Sequence, residues 1–336
     1  MSSPEELSAA RVPAPREAPL PFGLTWADLG RGLPGAAAGG RAAVSHVKRG
    51  QHQGGHPSVI LTLSYDAADG QPRRQTVFFK MNPHESREAR RHQFLADRGI
   101  PVPQLVVCVE RGCEEVLGLE FLPSVGLGPG DVDEVLRLVA ALNSTTDVPE
   151  AIARTPPGLP QAQFEHVLGQ ALDEISAVHP DLGAPTWLDT YRRAAVRYRD
   201  LPTALTHGEL AAQHVGRTES GRLVILDLAT AGRRPRLADL ANLLTPSTAL
   251  AGLTERSVLR DYLRHLSPTS RLTGPEDQAW AELQLTRFVQ AVEALPWRLG
   301  LRRPAELRRH LHQIASDQPA VLDQVDRDRP PGGVRI

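Results

Sequence analysis

The sequence predicts an α+β fold, with a small antiparallel β-sheet and one key helix followed by a larger, mostly helical part. Three observations predict it. Residues 41–80 contain three runs rich in β-branched and aromatic residues, which are typical of strands. From residue 132 onward, apolar residues recur at the three-four spacing of amphipathic helices. With 336 residues, of which 41% are hydrophobic, the chain is long enough to bury two unequal cores.

The first part is expected to become ordered near Leu24, after a segment rich in Pro, Ala, Ser and charge. The predicted strands lie at 41–49, 58–65, 74–80, 104–109 and 115–119. The predicted domain boundaries are a flexible tail at 1–22, an N-terminal lobe at 23–119, a hinge at 120–123, a helical C-terminal lobe at 124–316 and a tail at 317–336.

One helix, predicted at 83–98, interrupts the strands. Asn82 and Pro83 are a cap residue and a proline at the first helical position, and Gly99 ends the helix. Glu88 lies on the face that helix geometry turns inward. It is either the counter-ion of a buried cation or one of several solvated charges.

Lys80 is a candidate for that cation. Of 38 basic residues only Lys48 and Lys80 are lysines, so the choice of lysine over arginine at a strand end needs a reason. Lysine presents a compact point charge, whereas arginine presents a wide planar fork. A tight phosphate site prefers the lysine.

The second part is predicted to be mostly helical. Its predicted helices lie at 132–142, 161–178, 186–199, 253–266, 275–294 and 304–316. Between the third and fourth of them, the loop His207-Gly208-Glu209 precedes an apolar strand that ends at Asp227. Two carboxylates so placed can meet across a hairpin, and magnesium is usually held by one or two carboxylates together with nucleotide phosphates.

In this order the motifs resemble those of the aminoglycoside phosphotransferases and choline kinases, which share the bilobal protein-kinase-like fold. The resemblance covers roughly residues 25–300. In the first part it rests on a strand lysine (Lys80), a helix glutamate (Glu88) and a Gly-Ile-Pro-Val-Pro turn (residues 99–103). In the second part it rests on a His-Gly-acid loop (residues 207–209), an acid after an apolar strand (Asp227) and a later helical aspartate (Asp239).

The resemblance implies a role for each matched residue. Lys80, held by Glu88, contacts the nucleotide phosphates; Glu209 orients the acceptor hydroxyl; Asp227 holds Mg²⁺; and His207 and Asp239 brace the loop. The glycine-containing connection at 50–56 and the hinge add nucleotide contacts, assigned to Gly50, Gly54, Gly55 and the main chain of Glu120 and Leu122.

The chain departs from the family pattern at two positions of the loop. Glu209 replaces the usual Asp, which moves the carboxylate outward by one methylene. His214, with Gln213 beside it, replaces the metal-binding Asn. Three interpretations stay open: Gln213 supplies an amide oxygen, His214 binds a softer metal or replaces it as a cation, or the second metal is lost.

These features predict an enzyme that transfers the γ-phosphate of ATP or GTP to a hydroxyl of a small molecule, with Mg²⁺ as cofactor. An amino-sugar or aminoglycoside acceptor is favoured. Residues 131–200 contain eleven acids against six arginines, an excess that either binds a cationic substrate or forms a solvated helix face. The alternative is a weakened or silent nucleotide-binding homologue with a regulatory role. A protein kinase is disfavoured, since only eleven residues separate Asp227 from Asp239.

Composition also excludes several partners. The net charge of −1 gives no basis for binding nucleic acid or a membrane surface. Two cysteines do not indicate a disulfide framework, and the sequence has no apolar run of membrane-spanning length. We therefore expect a cytoplasmic protein whose partner is its small-molecule substrate; the sequence does not indicate an oligomeric state.

Overall fold

The structure is a computed structural model that describes residues 19–33, 35–48, 57–83, 86–123, 127–155, 159–244, 254–266, 274–301 and 303–327. Contacts divide the chain into two compact units, one formed by Met1–His84 with Gln104–Phe121 and the other by Glu85–Pro103 with Leu122–Ile336. The first contains an antiparallel sheet and the second is mostly helical, so the predicted α+β class is confirmed.

The first unit is a five-stranded antiparallel sheet with the strand order β1-β2-β3-β5-β4. Its elements are α1 (Trp26–Leu29), β1 (Gly40–Lys48), β2 (Ser58–Asp66), β3 (Pro72–Pro83), β4 (Leu105–Arg111) and β5 (Glu114–Glu120). Its core contains Leu61, Val77 and Phe79, which are almost fully buried. Lys80 follows directly and lies opposite Ser58 on β2 and Leu117 on β5.

The last residues of the predicted tail at 1–22 pack in the first unit. Leu20 and Phe22 pack against the core of the first unit, and a capping box between Thr25 and Asp28 starts α1. Two apolar side chains therefore anchor residues 19–22, which the composition had assigned to a loose tail.

The second unit contains ten helices and four short strands among its described residues. They are α2 (Glu88–Ala96), α3 (Val132–Asn143), α4 (Glu150–Ala153), α5 (Gln161–Val178), α6 (Trp187–Asp200), β6 (Thr203–Thr206), β7 (Val215–Arg217), β8 (Leu223–Ile225), β9 (Gly232–Pro235), α7 (Ala238–Leu243), α8 (Glu255–His265), α9 (Glu276–Glu293), α10 (Leu295–Gly300) and α11 (Pro304–Arg327). One apolar core surrounds the short strands, and a second joins α5, α6, α9 and α11.

The predicted start of the helix at Pro83 is wrong. β3 continues to Pro83, which lies opposite Glu114 on β5, and α2 begins only at Glu88 after Arg87 in a left-handed conformation (φ 50°). Pairing along β3 thus outweighs the local helix-start pattern. The helix also groups with the second unit, not with the sheet lobe to which residues 23–119 were assigned.

The predicted C-terminal tail begins too early. α11 continues past Asp317 to Arg327 and includes Pro319. Val321 is fully buried in the second core and Asp317 is also buried, so packing against the neighbouring helices extends α11 beyond the predicted end at residue 316. None of the described helices is long and apolar enough to span a membrane.

Candidate active site

Short strands bring the predicted loop and the predicted metal acid into one part of the second unit. β6 leads directly into His207-Gly208-Glu209, and β7 pairs with β8, so that Val215 lies opposite Ile225. The chain then reaches Leu226 and Asp227 and returns through β9, which pairs with β6. Buried Leu205, Leu210, Val215 and Ile225 anchor this arrangement in the first of the two cores.

The Asp239 carboxylate holds the backbone of the loop. It accepts hydrogen bonds from the backbone N–H of His207 at 2.8 Å and of Gly208 at 2.9 Å. Burial raises the pKa of the Asp239 carboxyl, whereas these two bonds favour its ionised form. Asp239 therefore fixes the backbone of His207 and Gly208, and its role as a brace of the catalytic loop stays a prediction.

The His207 ring connects the loop to the segment before Asp227. Its Nδ1 accepts from the backbone N–H of Glu209 at 3.3 Å, so its Nε2 donates to the carbonyl of Leu226 at 2.7 Å. This pattern requires the neutral ring with the proton on Nε2. Burial lowers the pKa of His207, in agreement with a neutral ring, although the nearby Asp239 carboxylate acts in the opposite direction.

Gly208 is required for the shape of the loop. Its φ of +91° is unfavourable for any side chain, and a Cβ atom there would lie 2.7 Å from the carbonyl oxygen of Thr230 and 2.9 Å from Nε of Arg234. The Gly208 carbonyl accepts from Asn242 at 3.1 Å. The peptide before Glu209 is therefore held from several sides.

His214 also contacts the backbone of Glu209. Its Nδ1 donates to the Glu209 carbonyl at 2.6 Å, and its ring stacks on His207 with 5.4 Å between centroids. The backbone N–H of Leu226 donates to the His214 carbonyl at 2.9 Å. Because Nδ1 is occupied as a donor, only Nε2 of His214 is left for a metal. The Gln213 side chain is exposed beside it.

Asp227 is an exposed side chain on a constrained backbone. It is one of four non-glycine residues with positive φ among the described residues, with φ 59° and ψ 72°. A short 3₁₀ turn at Leu228–Thr230 follows it. The backbone N–H of Ile225 donates a hydrogen bond to the carbonyl of Pro101. This bond connects the strand before Asp227 with the Gly-Ile-Pro-Val-Pro turn.

Arg91 on α2 holds the turn that follows Asp227. Its side chain is 1% exposed and donates to the carbonyls of Leu228 at 3.1 Å and Ala229 at 2.7 Å. It also donates to Ser86 at 2.7 Å and to Arg154 at 2.8 Å. Arg91 is not among the site residues predicted from the sequence. It lies three positions after Glu88 and therefore shares the inward face of the helix.

The predicted Lys80–Glu88 pair stays a prediction, because the two residues belong to different units. Both side chains are buried, so the interpretation of Glu88 as a solvated charge is wrong. Inside α2, Oε1 of Glu88 lies 3.6 Å from Nε2 of the buried His92. His92 is a second partner that the sequence analysis did not single out.

The remaining predicted nucleotide contacts are only partly described. Gly50, Gly54 and Gly55 lie outside the described residues. The backbone N–H of Glu120 donates to Gln104 at 2.9 Å, so that group is not available to an adenine base. Leu122 is buried and is the first residue of the Leu122–Ile336 part of the second unit.

The predicted metal ligands Asp227 and Gln213 offer a carboxylate and an amide oxygen. These donors fit a hard cation that takes its other ligands from water and phosphate. Within the described ranges there is no cluster of three or more His, Cys, Asp or Glu side chains able to hold a metal. Magnesium does not need such a cluster, because one carboxylate, an amide oxygen, water and phosphate oxygens satisfy it. Asp227 and Gln213 are the residues predicted to supply the protein ligands of such a site.

Comparisons with known proteins identify the family of the chain. The Phosphotransferase enzyme family matches residues 65–285, and the chain belongs to this family. No curated protein sequence matches the chain. The family match defines a phosphotransferase, and solved structures similar to the chain have the protein-kinase-like fold.

Several solved structures share the fold at low identity. A spectinomycin phosphotransferase in complex with ADP and spectinomycin is 10% identical, with a TM-score of 0.55 over 84% of this chain and 92% of that chain. An aminoglycoside 2'-phosphotransferase in complex with GDP is 16% identical, with a TM-score of 0.53 over 84% and 94%. A choline kinase from Streptococcus pneumoniae is 12% identical, with a TM-score of 0.52 over 81% and 94%.

Proposed function

We propose that this protein transfers the γ-phosphate of ATP or GTP to a hydroxyl group of a small molecule that carries an amino group, with an amino sugar or aminoglycoside as the first candidate. The observation that carries the proposal is the bonding of the loop at residues 207–209. Asp239, His207 and His214 hold the backbone on both sides of Glu209 and link it to the segment that presents Asp227.

Glu209 is proposed to orient the acceptor. Its side chain is exposed while its backbone is fixed, which suits a group that must meet a substrate hydroxyl. The acceptor oxygen forms a bond to the γ-phosphorus, the bond to the bridging oxygen of the departing diphosphate breaks, and the hydroxyl proton passes to the Glu209 carboxylate. In a loose transition state, positioning matters more than base strength, so the longer Glu side chain remains compatible with the reaction.

Asp227 is proposed to hold Mg²⁺, with the amide oxygen of Gln213 as a further ligand. The metal, when bound, neutralises phosphate charge. His214 is then a positioning residue, because its Nδ1–H is bound to the Glu209 carbonyl. In the first unit, the buried Lys80 is proposed to contact the α- and β-phosphates, and Glu88 is its proposed partner.

The second candidate function is a nucleotide-binding homologue without transfer activity. The specific observation in its favour is the imidazole of His214 at the position of a metal-binding amide, combined with the Asp-to-Glu change at residue 209. Such a protein would bind nucleotide and transfer no phosphate to any acceptor.

The experiment that tests the proposal measures binding and turnover on the same sample. The melting temperature is measured with ATP and with GTP, each with and without Mg²⁺, and release of ADP or GDP is then followed with amino sugars, amino alcohols and hydroxylated amino acids. Specific binding raises the melting temperature by mass action. We expect Mg²⁺-dependent stabilisation and acceptor-dependent release. Stabilisation without release supports the silent homologue, and no stabilisation contradicts both functions.

A further inference from the structure

Three arginines close together in the sequence have three different environments. Arg233 and Arg234 lie on β9, and Arg236 follows it directly. Arg233 is exposed, so solvent hydrates its charge. Arg236 is 3% exposed and donates from Nε to the Glu282 carboxylate at 2.8 Å. Arg234 is half-buried, and neither solvent alone nor an ion pair explains its position.

Arg234 lies against the loop at residues 207–209. β9 pairs with β6, and this pairing places Arg234 opposite Ala204, three residues before His207. A Cβ atom on Gly208 would lie 2.9 Å from Nε of Arg234 and 3.3 Å from its Nη2. The guanidinium therefore occupies the space that a side chain at position 208 would fill, next to the residue that precedes Glu209.

The guanidinium of Arg234 is held by packing more than by hydrogen bonds. Within the described ranges its hydrogen bond is a 3.5 Å contact from Nη2 to the Thr230 carbonyl, and its buried Nε–H has no partner. No described carboxylate forms an ion pair with it. A half-buried cation with so few acceptors is unfavourable unless its charge stabilises another group.

Asp239 is a buried carboxylate that needs such a charge. It is fully buried, and in the part of the chain that the structure describes its oxygens accept from the backbone N–H of His207 and Gly208. The His207 ring is neutral in its bonding pattern and supplies no charge. Burial without an opposite charge favours the protonated acid, and a proton on either oxygen would remove an acceptor from one of the two N–H groups.

Gly208 is the residue that both charged groups contact. Oδ1 of Asp239 lies 2.9 Å from the backbone nitrogen of Gly208, and Nε of Arg234 lies 2.9 Å from its Cβ position. Opposite charges at adjacent positions of one residue interact strongly where little water is present. Burial raises the pKa of the Asp239 carboxyl, and the charge of Arg234 acts in the opposite direction.

We propose that Arg234 is a positioning residue for Glu209, whose positive charge compensates the buried Asp239 carboxylate and so keeps both backbone N–H groups of the loop bonded. Arg234 acts through Asp239 and does not touch the substrate. The inference rests on the proposed phosphotransferase function, in which Glu209 orients the acceptor hydroxyl.

The test separates the charge of Arg234 from its packing. Arg234→Lys keeps the charge, Arg234→Gln keeps N–H donors without the charge, and Arg234→Met removes both. Arg233→Met is the matched control, because it removes the same charge from the neighbouring exposed position. Arg234→Met is also combined with Asp239→Asn, which removes the charge that Arg234 is proposed to compensate. For each variant, kcat and the KM for nucleotide are measured with an acceptor that the wild type phosphorylates.

We expect Arg234→Met and Arg234→Gln each to lower kcat by about tenfold and to leave the KM for nucleotide unchanged, since the loop meets the acceptor. Arg234→Lys retains kcat to within about threefold, because the charge is kept. In the Asp239→Asn background, Arg234→Met changes kcat by less than about twofold, since the two residues act as one unit. Arg233→Met behaves as wild type.

Three results would overturn the positioning role. They are a loss of kcat in Arg234→Lys equal to that in Arg234→Gln, losses that multiply in the double variant, and equal effects of Arg234→Met and Arg233→Met. If Asp239→Asn does not fold, the comparison of Arg234→Lys with Arg234→Gln decides alone. Each of these results leaves the phosphotransferase proposal intact, because the wild type still turns over its acceptor. A wild type that is not stabilised by nucleotide would instead remove the proposed function.

Discussion

At the scale of single residues, the exchange of asparagine for histidine at position 214 has a structural explanation. The imidazole Nδ1–H binds the Glu209 carbonyl, a bond that an amide N–H can also make. Stacking on His207 then restricts the orientation of the ring. Of the three open interpretations, the supply of the amide oxygen by Gln213 agrees best with this bond, because the bond gives His214 a different partner.

This explanation predicts opposite outcomes for two substitutions of His214. His214→Ala loses the bond to Glu209 and is expected to lower acceptor-dependent turnover by about tenfold, the equivalent of one hydrogen bond of about 1.4 kcal/mol. His214→Asn restores an amide donor and offers an amide oxygen to the metal, so its turnover equals or exceeds that of the wild type. The measurement is kcat over a Mg²⁺ titration. Equal losses of turnover in both variants would show that the hydrogen bond from His214 to the Glu209 carbonyl does not determine turnover.

At the scale of elements, α2 and the turn after Asp227 form one connected piece. Arg91 binds carbonyls at Ser86, Leu228, Ala229 and Arg154, and these belong to three separate segments of the second unit. The helix that carries Glu88 is therefore tied to the segment that carries Asp227.

Arg91→Lys is expected to disturb Asp227 without removing a charge. Lysine cannot satisfy four carbonyls at once, so the turn shifts, and displacement of a reacting group by about 1 Å costs on the order of a hundredfold in rate. We expect turnover to fall between tenfold and a hundredfold and the Mg²⁺ concentration for half-maximal activity to rise. Arg90→Ala, on the exposed side of α2, is the control. Unchanged turnover and Mg²⁺ dependence in Arg91→Lys would refute the positioning role.

The packing of α9 against α11 predicts a pH dependence of stability. His310 on α11 is buried and donates from Nε2 to the Ala291 carbonyl at 2.7 Å. Burial lowers the pKa of His310 from 6.5 to about 4. Between these values the unfolded chain binds a proton that the folded chain does not, so the contribution of His310 is complete above pH 6.5 and is lost as the pH falls towards 4.

The pH prediction is tested by unfolding in denaturant at pH 7 and pH 5. His310→Gln keeps an N–H donor and cannot be charged, so we expect its free energy of unfolding to fall less than that of the wild type, by on the order of 1 to 3 kcal/mol. Buried acids with raised pKa values, such as Asp317, are present in both proteins and cancel in the comparison. Parallel pH profiles would contradict the prediction.

At the scale of the whole molecule, sequence reasoning predicted what is local in the chain. β2 and β5 were predicted to within one residue at each end, because their apolar β-branched runs are compatible only with strands. The Asn82-Pro83 pattern is compatible with the start of a helix and with the end of a strand, and only the pairing of β3 with β5 decides between them. Likewise, the end of α11 depends on burial of Val321 by other helices, a contact that the local sequence around Pro319 does not reveal.

The same distinction separates the two parts of the candidate site. Residues 207–239 lie close together in sequence, and the structure gives Asp239 and His207 the contacts expected of braces. Arg91 comes from a distant element, α2, and no spacing rule connects it with the segment that follows Asp227. Its contact with that segment appears only when α2 packs against the short strands.

We propose that the second unit presents Asp227 to bind a metal and Glu209 to orient the acceptor during phosphate transfer. The most direct measurement is acceptor-dependent release of nucleoside diphosphate by the wild type, Asp227→Asn, Glu209→Gln and the exposed control Glu219→Gln. We expect Mg²⁺-dependent release by the wild type and Glu219→Gln, and losses of release rate of about a hundredfold or more in the other two variants. Release that is equal in all four proteins would contradict it.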